Sequence, residues 1–343
     1  MVDQALDPVR LRRSTLMDVA RLAGVSVSTA SKALNDRSHV RAATRARVLQ
    51  AAQQLSFSPN TLAQSLLAGR TGTVGLVTSD LEGRFVIPIL MGAEDAFGAD
   101  RVNGFLCDAR GDAIRELHHV RALLSRQVDG LIVVGSRTDP RRSLGRELPV
   151  PVVYTYAPSE HPDDLSIVCD NVGAGRMAVE HLMSCGRTRI AHITGDPGYR
   201  AARDRAEGVR AALADAGLPL VGRVAYGAWT EGWGRAAAAM LLDQHPEVDA
   251  IFCGSDVVAR GVMDTLRERG REVPGDIAVL GFDNWEILSA DARPPLTSID
   301  MNLEELGRSA ARALFAALDG APRSGVEALP CRIVLRGSTA PVG

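Results

Sequence analysis

The residues best suited to chemistry near the amino terminus are small, polar and closely spaced. Ser, Thr and Lys side chains recur between residues 26 and 32, where they could meet the edges of nucleic acid bases. Residues 1–70 hold ten Lys and Arg against four Asp and Glu, whereas the rest of the chain holds 29 against 37. A basic segment before an acidic remainder is typical of a phosphate-binding module, although a solvated basic face would give the same count.

Two patterns further along the chain could indicate enzyme or metal chemistry. Residues 173–178 follow a strand pattern and open a helix, with Asp196 about twenty residues later, which formally fits a dinucleotide-binding fingerprint. Asp170 and Asn171 intervene between that strand and the glycines, however, so packing of a helix on a sheet explains the small residues as well. His181 and Cys185 lie one helical turn apart, but no further ligand pair accompanies them. We therefore predict no enzyme, no cofactor and no metal site.

Composition and cysteine usage indicate an ordinary globular protein. Hydrophobic residues make up 46% of the chain and charged residues 23%, which favours a folded core over disorder. The five cysteines are scattered, so we expect free thiols in a reducing compartment. The first fifteen residues lack an apolar signal segment, and no run of about eighteen apolar residues follows. We predict a cytoplasmic protein that does not span a membrane.

The amino-terminal pattern predicts a disordered arm over residues 1–13 and then three short helices. Thr15 and Asp18 have the spacing of a capping box at the start of the first helix, and Gly24 would end it. Ser26 can cap the second helix, and the third precedes a Ser-Pro pair. The apolar stripes predicted to bury these helices are Leu16, Val19, Ala20, Leu22 and Ala23 in the first and Val48, Leu49, Ala52 and Leu55 in the third.

From Thr73 onward, short apolar runs alternate with helix-length stretches. This alternation predicts βαβ units, and two sets of five or six strands fit an α/β core of two doubly wound parallel-sheet lobes. We place the lobe change near residues 169–170 and expect the chain to return between the lobes near residues 297 and 330. The predicted divisions are an arm (1–13), a helical DNA-binding domain (14–59), a hinge or linker (60–70) and a core (71–343).

The first two predicted helices fit a helix-turn-helix, a DNA-binding motif in which two short helices cross at a fixed angle. Ala20 and Gly24 permit a close crossing, and Val25 and Ala30 would be buried against the first helix. The outward positions of the second helix, which we predict to read base edges, are Val27, Ser28 and Lys32.

Several short motifs stand at characteristic spacing between residues 18 and 60. They are Asp18-Val-Ala20, Ala23-Gly-Val-Ser26, Thr29-Ala-Ser31, Leu34-Asn35, Val40, Thr44-Arg45 and Pro59-Asn60. Together they resemble the headpiece of the lactose-repressor/galactose-repressor (LacI/GalR) family of bacterial transcription regulators. The sequence departs from that pattern at Lys32, Ala30 and Phe57, where the family usually has Arg, Val and Tyr. These departures leave the predicted fold intact and leave the DNA sequence that is read undetermined.

The resemblance implies binding to a palindromic operator as a homodimer, with a hinge helix over residues 60–68 entering the minor groove. A helix of roughly nine residues is marginal alone, so we expect it to order only when two copies meet on DNA. Leu66 would then act as an apolar wedge, unless it is simply a linker residue that touches the core. The residues assigned to DNA contact are Thr15, Ser26, Val27, Ser28, Thr29, Ser31, Lys32, Asn35, His39, Thr44, Arg45, Asn60, Ala63 and Leu66.

The resemblance continues to the carboxyl end, through motifs such as residues 281–284 and 294–299, and implies a core shared with periplasmic sugar-binding proteins. A ligand would lie between the lobes, at the carboxyl ends of the strands. By motif, Arg205 is the ligand-binding arginine and Asp283 its partner carboxylate, while Asp256 fits equally a helix amino-terminal acid. A structural salt bridge for Arg205 and core packing for Trp229 are the alternatives. The residues assigned to the ligand are Phe85, Asp170, Arg205, Trp229, Ser255 and Asp283.

These features together predict a regulator, more specifically a repressor, whose operator affinity changes when a small carbohydrate-like molecule closes the core. We expect no coiled-coil tail for a tetramer and no membrane partner. A solute receptor that serves a transporter would share the core but lack the headpiece. A nucleoid-type DNA binder would share the basic segment but bind no small molecule.

Overall fold

The computed structural model describes residues 14–34, 40–57, 70–100, 102–145 and 147–339, which form two compact units with a boundary between Thr71 and Gly72. Several predictions fall outside the described residues. These are the amino-terminal arm, the whole hinge helix over residues 60–68, and the DNA contacts assigned to Asn35, His39, Asn60, Ala63 and Leu66.

The first unit contains the three predicted helices, α1 (Leu16–Ala23), α2 (Val27–Leu34) and α3 (Ala42–Gln54). The capping box is confirmed, because the Asp18 N–H donates to the Thr15 hydroxyl at 3.3 Å and the Thr15 N–H donates to the Asp18 carboxylate at 2.9 Å. Gly24 ends α1 with a φ of 65°, a left-handed conformation that glycine adopts without strain. Local capping thus fixes where the first helix begins and ends.

Small apolar side chains form the core of this unit, which lets the helices approach closely. The prediction was wrong for two leucines: Leu22 is 51% exposed and Leu49 is 50% exposed. Each leucine is the sequence neighbour of a buried residue. Because successive residues of a helix are rotated by about 100°, each leucine points away from the narrow buried stripe. The residues that are buried are Val19, Ala20, Ala23, Ala30, Ala33, Val48, Ala51 and Ala52.

The second unit is the predicted α/β core. Its strands are β1 (Thr73–Thr78), β2 (Asn103–Asp108), β3 (Gly130–Val134), β4 (Val152–Thr155), β5 (Leu165–Cys169), β6 (Ile190–Thr194), β7 (Ala225–Tyr226), β8 (Ala250–Cys253), β9 (Ala278–Phe282), β10 (Thr297–Asp300), β11 (Gly325–Leu329) and β12 (Arg332–Val334). Its helices are α4 (Val86–Asp100), α5 (Ala113–Ser125), α6 (Asn171–Ser184), α7 (Arg200–Asp215), α8 (Glu231–Gln244), α9 (Asp256–Glu268), α10 (Glu286–Ser289) and α11 (Leu303–Leu318).

The strands form two six-stranded sheets, one in each lobe. The first-lobe sheet has the order β11-β5-β4-β3-β1-β2 and the second-lobe sheet has the order β12-β10-β9-β8-β6-β7. The chain therefore passes between the lobes three times, after β5, after β10 and after β11. All pairings are parallel except that of β12, which runs antiparallel to β10 at the edge of the second sheet. Two lobes of this kind confirm the predicted fold class.

One glycine of the dinucleotide-like segment, Gly175, contributes to the packing of two helices. On α6, a Cβ at Gly175 would overlap the backbone carbonyl oxygen of Arg205 on α7, and a Cβ at Gly208 on α7 would overlap that of Val172 on α6. The small residues thus bring two helices together, whereas the sequence had suggested packing on the sheet. His181, the first of the two suggested metal ligands, shares a hydrogen bond with the Thr339 hydroxyl at 2.8 Å.

All five cysteines are free thiols, as predicted. In the part of the chain that the structure describes, no helix combines the length and the apolar character needed to cross a lipid bilayer. Within the same ranges, no group of three or more His, Cys, Asp and Glu side chains is placed to hold a metal ion.

The α6–α7 contact predicts opposite effects for one substitution at two helical glycines. Gly208→Ala should destabilise the core by about 1–3 kcal/mol, because its Cβ meets a backbone carbonyl that cannot move freely. Gly98→Ala on α4 meets no atom within 4 Å and should stabilise by up to about 1 kcal/mol through helix propensity. Urea unfolding of both variants measures the difference, and equal shifts of the two midpoints would contradict this account of the packing.

Candidate DNA-binding face and ligand-binding cleft

One face of α2 is available to a partner. Ala30 and Ala33 point into the helical core, while Val27, Ser28 and Lys32 are exposed, as the pattern predicted. Lys32 is the only lysine in the chain, which otherwise uses arginine for its positive charges. The face therefore offers one apolar, one hydroxyl and one flexible cationic group, a set suited to the floor of a major groove.

Other residues assigned to DNA contact hold the start of a helix. The Ser26 hydroxyl accepts the Thr29 N–H at 3.1 Å, and the two hydroxyls share a hydrogen bond of 2.8 Å. Thr15 caps α1 in the same manner. Ser31, Thr44 and Arg45 are half-buried. Ser26 and Thr29 hold the start of α2, and contact of all these residues with DNA remains a prediction.

The carboxyl ends of the strands of both lobes meet at a cleft. Several contacts join residues that belong to different lobes. The Arg84 guanidinium pairs with the Asp283 carboxylate, and the Arg137 guanidinium lies 4.4 Å from the centre of the Tyr199 ring. The Arg200 N–H donates to the Asp139 carboxylate at 3.0 Å. In this structure the loops at the cleft thus touch through charged and aromatic groups.

Arg205 is held deep in the second lobe. Its side chain projects from α7, and the residue is 3% exposed. Its Nε donates to the Asn171 amide oxygen at 2.9 Å and its Nη1 donates to the Gly254 carbonyl at 2.6 Å. The guanidinium also lies 3.4 Å from the centre of the Phe282 ring. Burial lowers the pKa of Arg205, and the nearby Asp283 carboxylate partly offsets that shift.

Asp283 lies immediately after β9, and its direct ion-pair partner is Arg84 rather than Arg205. Its φ is 101°, a left-handed value that costs a non-glycine residue free energy and is held here by the surrounding bonds. One of these bonds runs from the Asp283 N–H to the Ile299 carbonyl at 2.8 Å. Burial raises the pKa of Asp283, whereas the guanidinium groups of Arg84 and Arg205 act to lower it.

Asp256, for which the sequence left two readings open, positions the loop that carries Asp283. Its buried carboxylate accepts the Trp285 N–H and the Ser298 hydroxyl, each at 2.6 Å. A Cβ at Gly281 would overlap this carboxylate, which explains the glycine two residues before Asp283. Burial and the charge of Asp283 raise the pKa of Asp256 to about 7.

Aromatic rings enclose the Arg84 side chain. Its guanidinium lies 4.5 Å from the centre of the Phe85 ring and 4.4 Å from that of Trp285, and Phe85 stacks on Tyr156 with ring centres 5.8 Å apart. The sequence analysis identified Phe85 but missed Arg84, Tyr156 and Trp285. Two of these are close neighbours of identified residues, since Arg84 precedes Phe85 and Trp285 follows Asp283 by two positions.

The remaining ligand candidates also lie at strand ends. The Asp170 carboxylate, after β5, accepts the Gly173 N–H at 2.7 Å and caps α6. The Ser255 hydroxyl, after β8, accepts the Val258 N–H at 3.2 Å and caps α9. Trp229, after β7, is half-buried with its ring centre 5.9 Å from that of Tyr199. Two of the three therefore have a local structural bond, and their contact with a ligand stays a prediction.

Buried polar atoms without a partner collect at the cleft. Within the described ranges, five such atoms lie at carboxyl ends of strands or in the loops that follow. A buried donor or acceptor left unpaired costs about 1–3 kcal/mol, so a polar molecule that completed these bonds would bind favourably. The atoms are Arg84 Nη1, Thr138 Oγ1, Thr155 Oγ1, Thr194 Oγ1 and Trp229 Nε1.

A small helical unit with an exposed second helix, followed by two lobes around a polar cleft, defines a bacterial transcription regulator with a sensor core of the periplasmic-binding-protein type. Comparison with family models agrees, since residues 15–60 match the bacterial regulatory proteins of the lacI family and residues 179–339 match the periplasmic binding protein-like domain. The chain belongs to the LacI family.

Individual relatives extend this assignment along the whole chain. The HTH-type transcriptional regulator CelR of Thermobifida fusca is 36% identical over 95% of this chain and 96% of its own. A lac repressor dimer bound to operator and the anti-inducer ONPF covers 96% of this chain and 100% of its own, with 28% identity and a TM-score of 0.74. A CelR–cellobiose complex covers 95% and 100%, with 32% identity and a TM-score of 0.61.

Titration of Asp256 predicts a specific pH dependence of stability. The pKa of the Asp256 carboxyl is higher in the folded chain than in the unfolded chain, so the folded chain binds the proton of this group more tightly. The free energy of unfolding therefore falls as pH rises from about 4 to about 7. Asp256→Asn should therefore lose less stability than the parent between pH 5 and pH 7.5, by on the order of 2 kcal/mol.

Urea unfolding at the two pH values measures this difference. Asp291→Asn is the matched control, because the Asp291 side chain is exposed to water and its loss should leave the pH dependence of the parent unchanged. Parallel behaviour of the parent and Asp256→Asn would show that Asp256 does not titrate in this range.

Proposed function

We propose that the chain is a homodimeric repressor of the cytoplasm that binds a palindromic operator and changes its affinity when a small polyhydroxylated molecule enters the cleft. One observation carries the proposal: Asp283, a residue assigned to the ligand, also makes an ion pair between the lobes. Asp283 pairs with Arg84 across the cleft, and Phe85 packs against that same guanidinium. A ligand that engages these groups must change the free energy of lobe closure.

The DNA-binding part of the proposal rests on the exposed face of α2. A helix-turn-helix reads only a few base pairs, so a dimer that reads two half-sites gains both affinity and specificity. Phosphate contacts from arginines beside the helices would set the register, and base contacts from Val27, Ser28 and Lys32 would select the sequence. The relative bound to an operator supports DNA binding by the helical unit. The relative bound to cellobiose supports binding of a small molecule by the core.

The response to ligand follows from the chain's connectivity. The linker leads directly into β1 of the first lobe, and residues 169–171, 300–303 and 329–332 join the two lobes. Closure of the cleft would therefore rotate the first lobe of each subunit against the second. In a dimer, that rotation changes the spacing of the two linkers and so favours or disfavours DNA binding.

An edge of the first lobe suits the second subunit. Strand β2 lies at the edge of its sheet, with Phe105 and Leu106 each 47% exposed. The helices that pack beside β2, α4 and α5, add further exposed apolar side chains. Exposed apolar side chains at a sheet edge are typical of a subunit interface. These additional side chains are Ile87, Met91, Ile114 and Leu117.

Two headpiece substitutions should separate base reading from phosphate binding. Ser28→Ala should change the preferred DNA sequence, whereas Arg45→Gln should leave the preference and lower the salt dependence of affinity by about 0.9 in log–log slope. The DNA site is first selected from a random pool with the full chain. Arg223→Gln, an exposed arginine of the core, is the control, and equal uniform weakening by both headpiece variants would refute the assignment of α2.

The edge of the first lobe gives a prediction for assembly. Phe105→Asp should shift the dissociation constant of the dimer upward by about tenfold or more, because it buries a charge in an apolar contact. Val326→Asp places the same charge on β11, the opposite edge of the same sheet, where Val326 is also exposed. Sedimentation equilibrium compares the two variants, and a dimer unaffected by Phe105→Asp would move the interface elsewhere.

A further inference from the structure

Arg84 occupies an unusual position for a surface-loop arginine. It belongs to the turn between β1 and α4, and its guanidinium lies between the rings of Phe85 from the first lobe and Trp285 from the second. Contact with two rings restricts the guanidinium and shields part of it from water. Its charge is therefore presented to the cleft at a defined place rather than dispersed in solvent.

Only part of the hydrogen-bonding capacity of Arg84 is used. One terminal nitrogen, Nη2, pairs with the Asp283 carboxylate. The other, Nη1, is buried and has no partner within the residues that the structure describes. A guanidinium carries five N–H donors, and a buried charged donor without an acceptor is more costly than a neutral one. The spare nitrogen calls for an acceptor from a bound molecule.

The charges around Arg84 do not balance. Arg205, the second guanidinium of the cleft, donates to the Asn171 amide, to the Gly254 carbonyl and to the Met301 sulfur, all of which are neutral. Two guanidinium groups thus share the carboxylate of Asp283. Since the interior of the cleft is poorly solvated, an excess positive charge there favours an anion strongly.

The other carboxylates near the cleft do not supply the missing charge in full. Burial raises the pKa of Asp256 to about 7, so this group is partly protonated near neutral pH. The Asp170 carboxylate caps the amino terminus of α6, where the helix dipole offsets its charge. The Asp80 carboxylate accepts the Gly83 N–H at 2.7 Å within its own turn.

We propose that Arg84 is a specificity-determining residue of the cleft and that the effector carries a carboxylate or phosphate group beside its hydroxyls. The anionic group accepts from Nη1 of Arg84, and Asp283 remains available to accept from the hydroxyl groups. The effector is thus a sugar acid or a sugar phosphate rather than a neutral sugar. This inference rests on the proposed function of the cleft as an effector site.

The test compares sugars that differ only in their charged group. The full chain is titrated calorimetrically with glucose, glucuronate and glucose 6-phosphate, and with the corresponding galactose series, at constant ionic strength. Inorganic phosphate serves as a minimal probe in thermal unfolding. The expected result is that at least one acid or phosphate binds about 30-fold or more tightly than its neutral parent, the loss typical of a missing charged partner. Comparison of the uronate and phosphate arms identifies which anion is preferred.

Substitution of Arg84 assigns this preference to its residue. Arg84→Gln should reduce the preference for the anion to below about threefold, whereas Arg84→Lys, which keeps the charge, should retain most of it. Arg223→Gln, an exposed arginine outside the cleft, should leave the preference unchanged. If circular dichroism shows that Arg84→Gln does not fold, the comparison of Arg84→Lys with the parent still tests the inference. A lysine variant that showed no preference for anions would contradict a role for charge.

Three outcomes overturn the inference. The first is that neutral sugars bind as tightly as their acids and phosphates. The second is that no anion, including inorganic phosphate, stabilises the parent, and the third is that Arg84→Gln keeps the preference for the anion. DNA binding is measured on the same samples with the site selected from the random pool. Release of that DNA by a neutral sugar would uphold the proposed function while refuting the anionic effector, and failure to bind DNA at all would refute the proposed function instead.

Discussion

The cleft depends on one electrostatic constraint, which is the burial of the Asp283 carboxylate. A carboxylate removed from water must be paired, and the partner it finds is Arg84 of the opposite lobe. The pair therefore ties charge neutralisation to lobe contact. Whatever changes the charge or solvation of this one group also changes the free energy of closure, which is the property that a sensor of this architecture requires.

The loop that carries Asp283 shows how the second lobe maintains this constraint. Asp283 and Asn284 both adopt positive φ values, so the backbone is strained where the carboxylate is presented. Asp256 holds the loop through the Trp285 N–H, and Gly281 leaves room for the Asp256 carboxylate. Residues from α9, β9 and β10 thus cooperate to place a single side chain.

The headpiece follows a simpler principle. Its core is made largely of alanine and valine, so little apolar area is buried and the helices depend on caps and close approach. The hydroxyls of Thr15 and Ser26 fix the starts of the first two helices, and the exposed outer face of α2 is not part of the helical core. The exposed side chains of α2 can therefore vary without loss of the fold, whereas Arg84 and Asp283 of the cleft depend on each other as an ion pair.

The sequence by itself determined the order of elements, the helix caps and the two-lobe fold, because these follow from local spacing: the Thr15–Asp18 box, Gly24 and the alternation of apolar runs with helices. It also identified Arg205 and Asp283 as cleft residues through motif resemblance. Only the tertiary structure decided which charged groups form ion pairs. Arg84 and Asp283 are separated by 199 residues, and no local pattern reports a contact between loops of different lobes. The exposure of Leu22 and Leu49 depends likewise on the width of the stripe that the neighbouring helices cover, which the helical period alone does not specify.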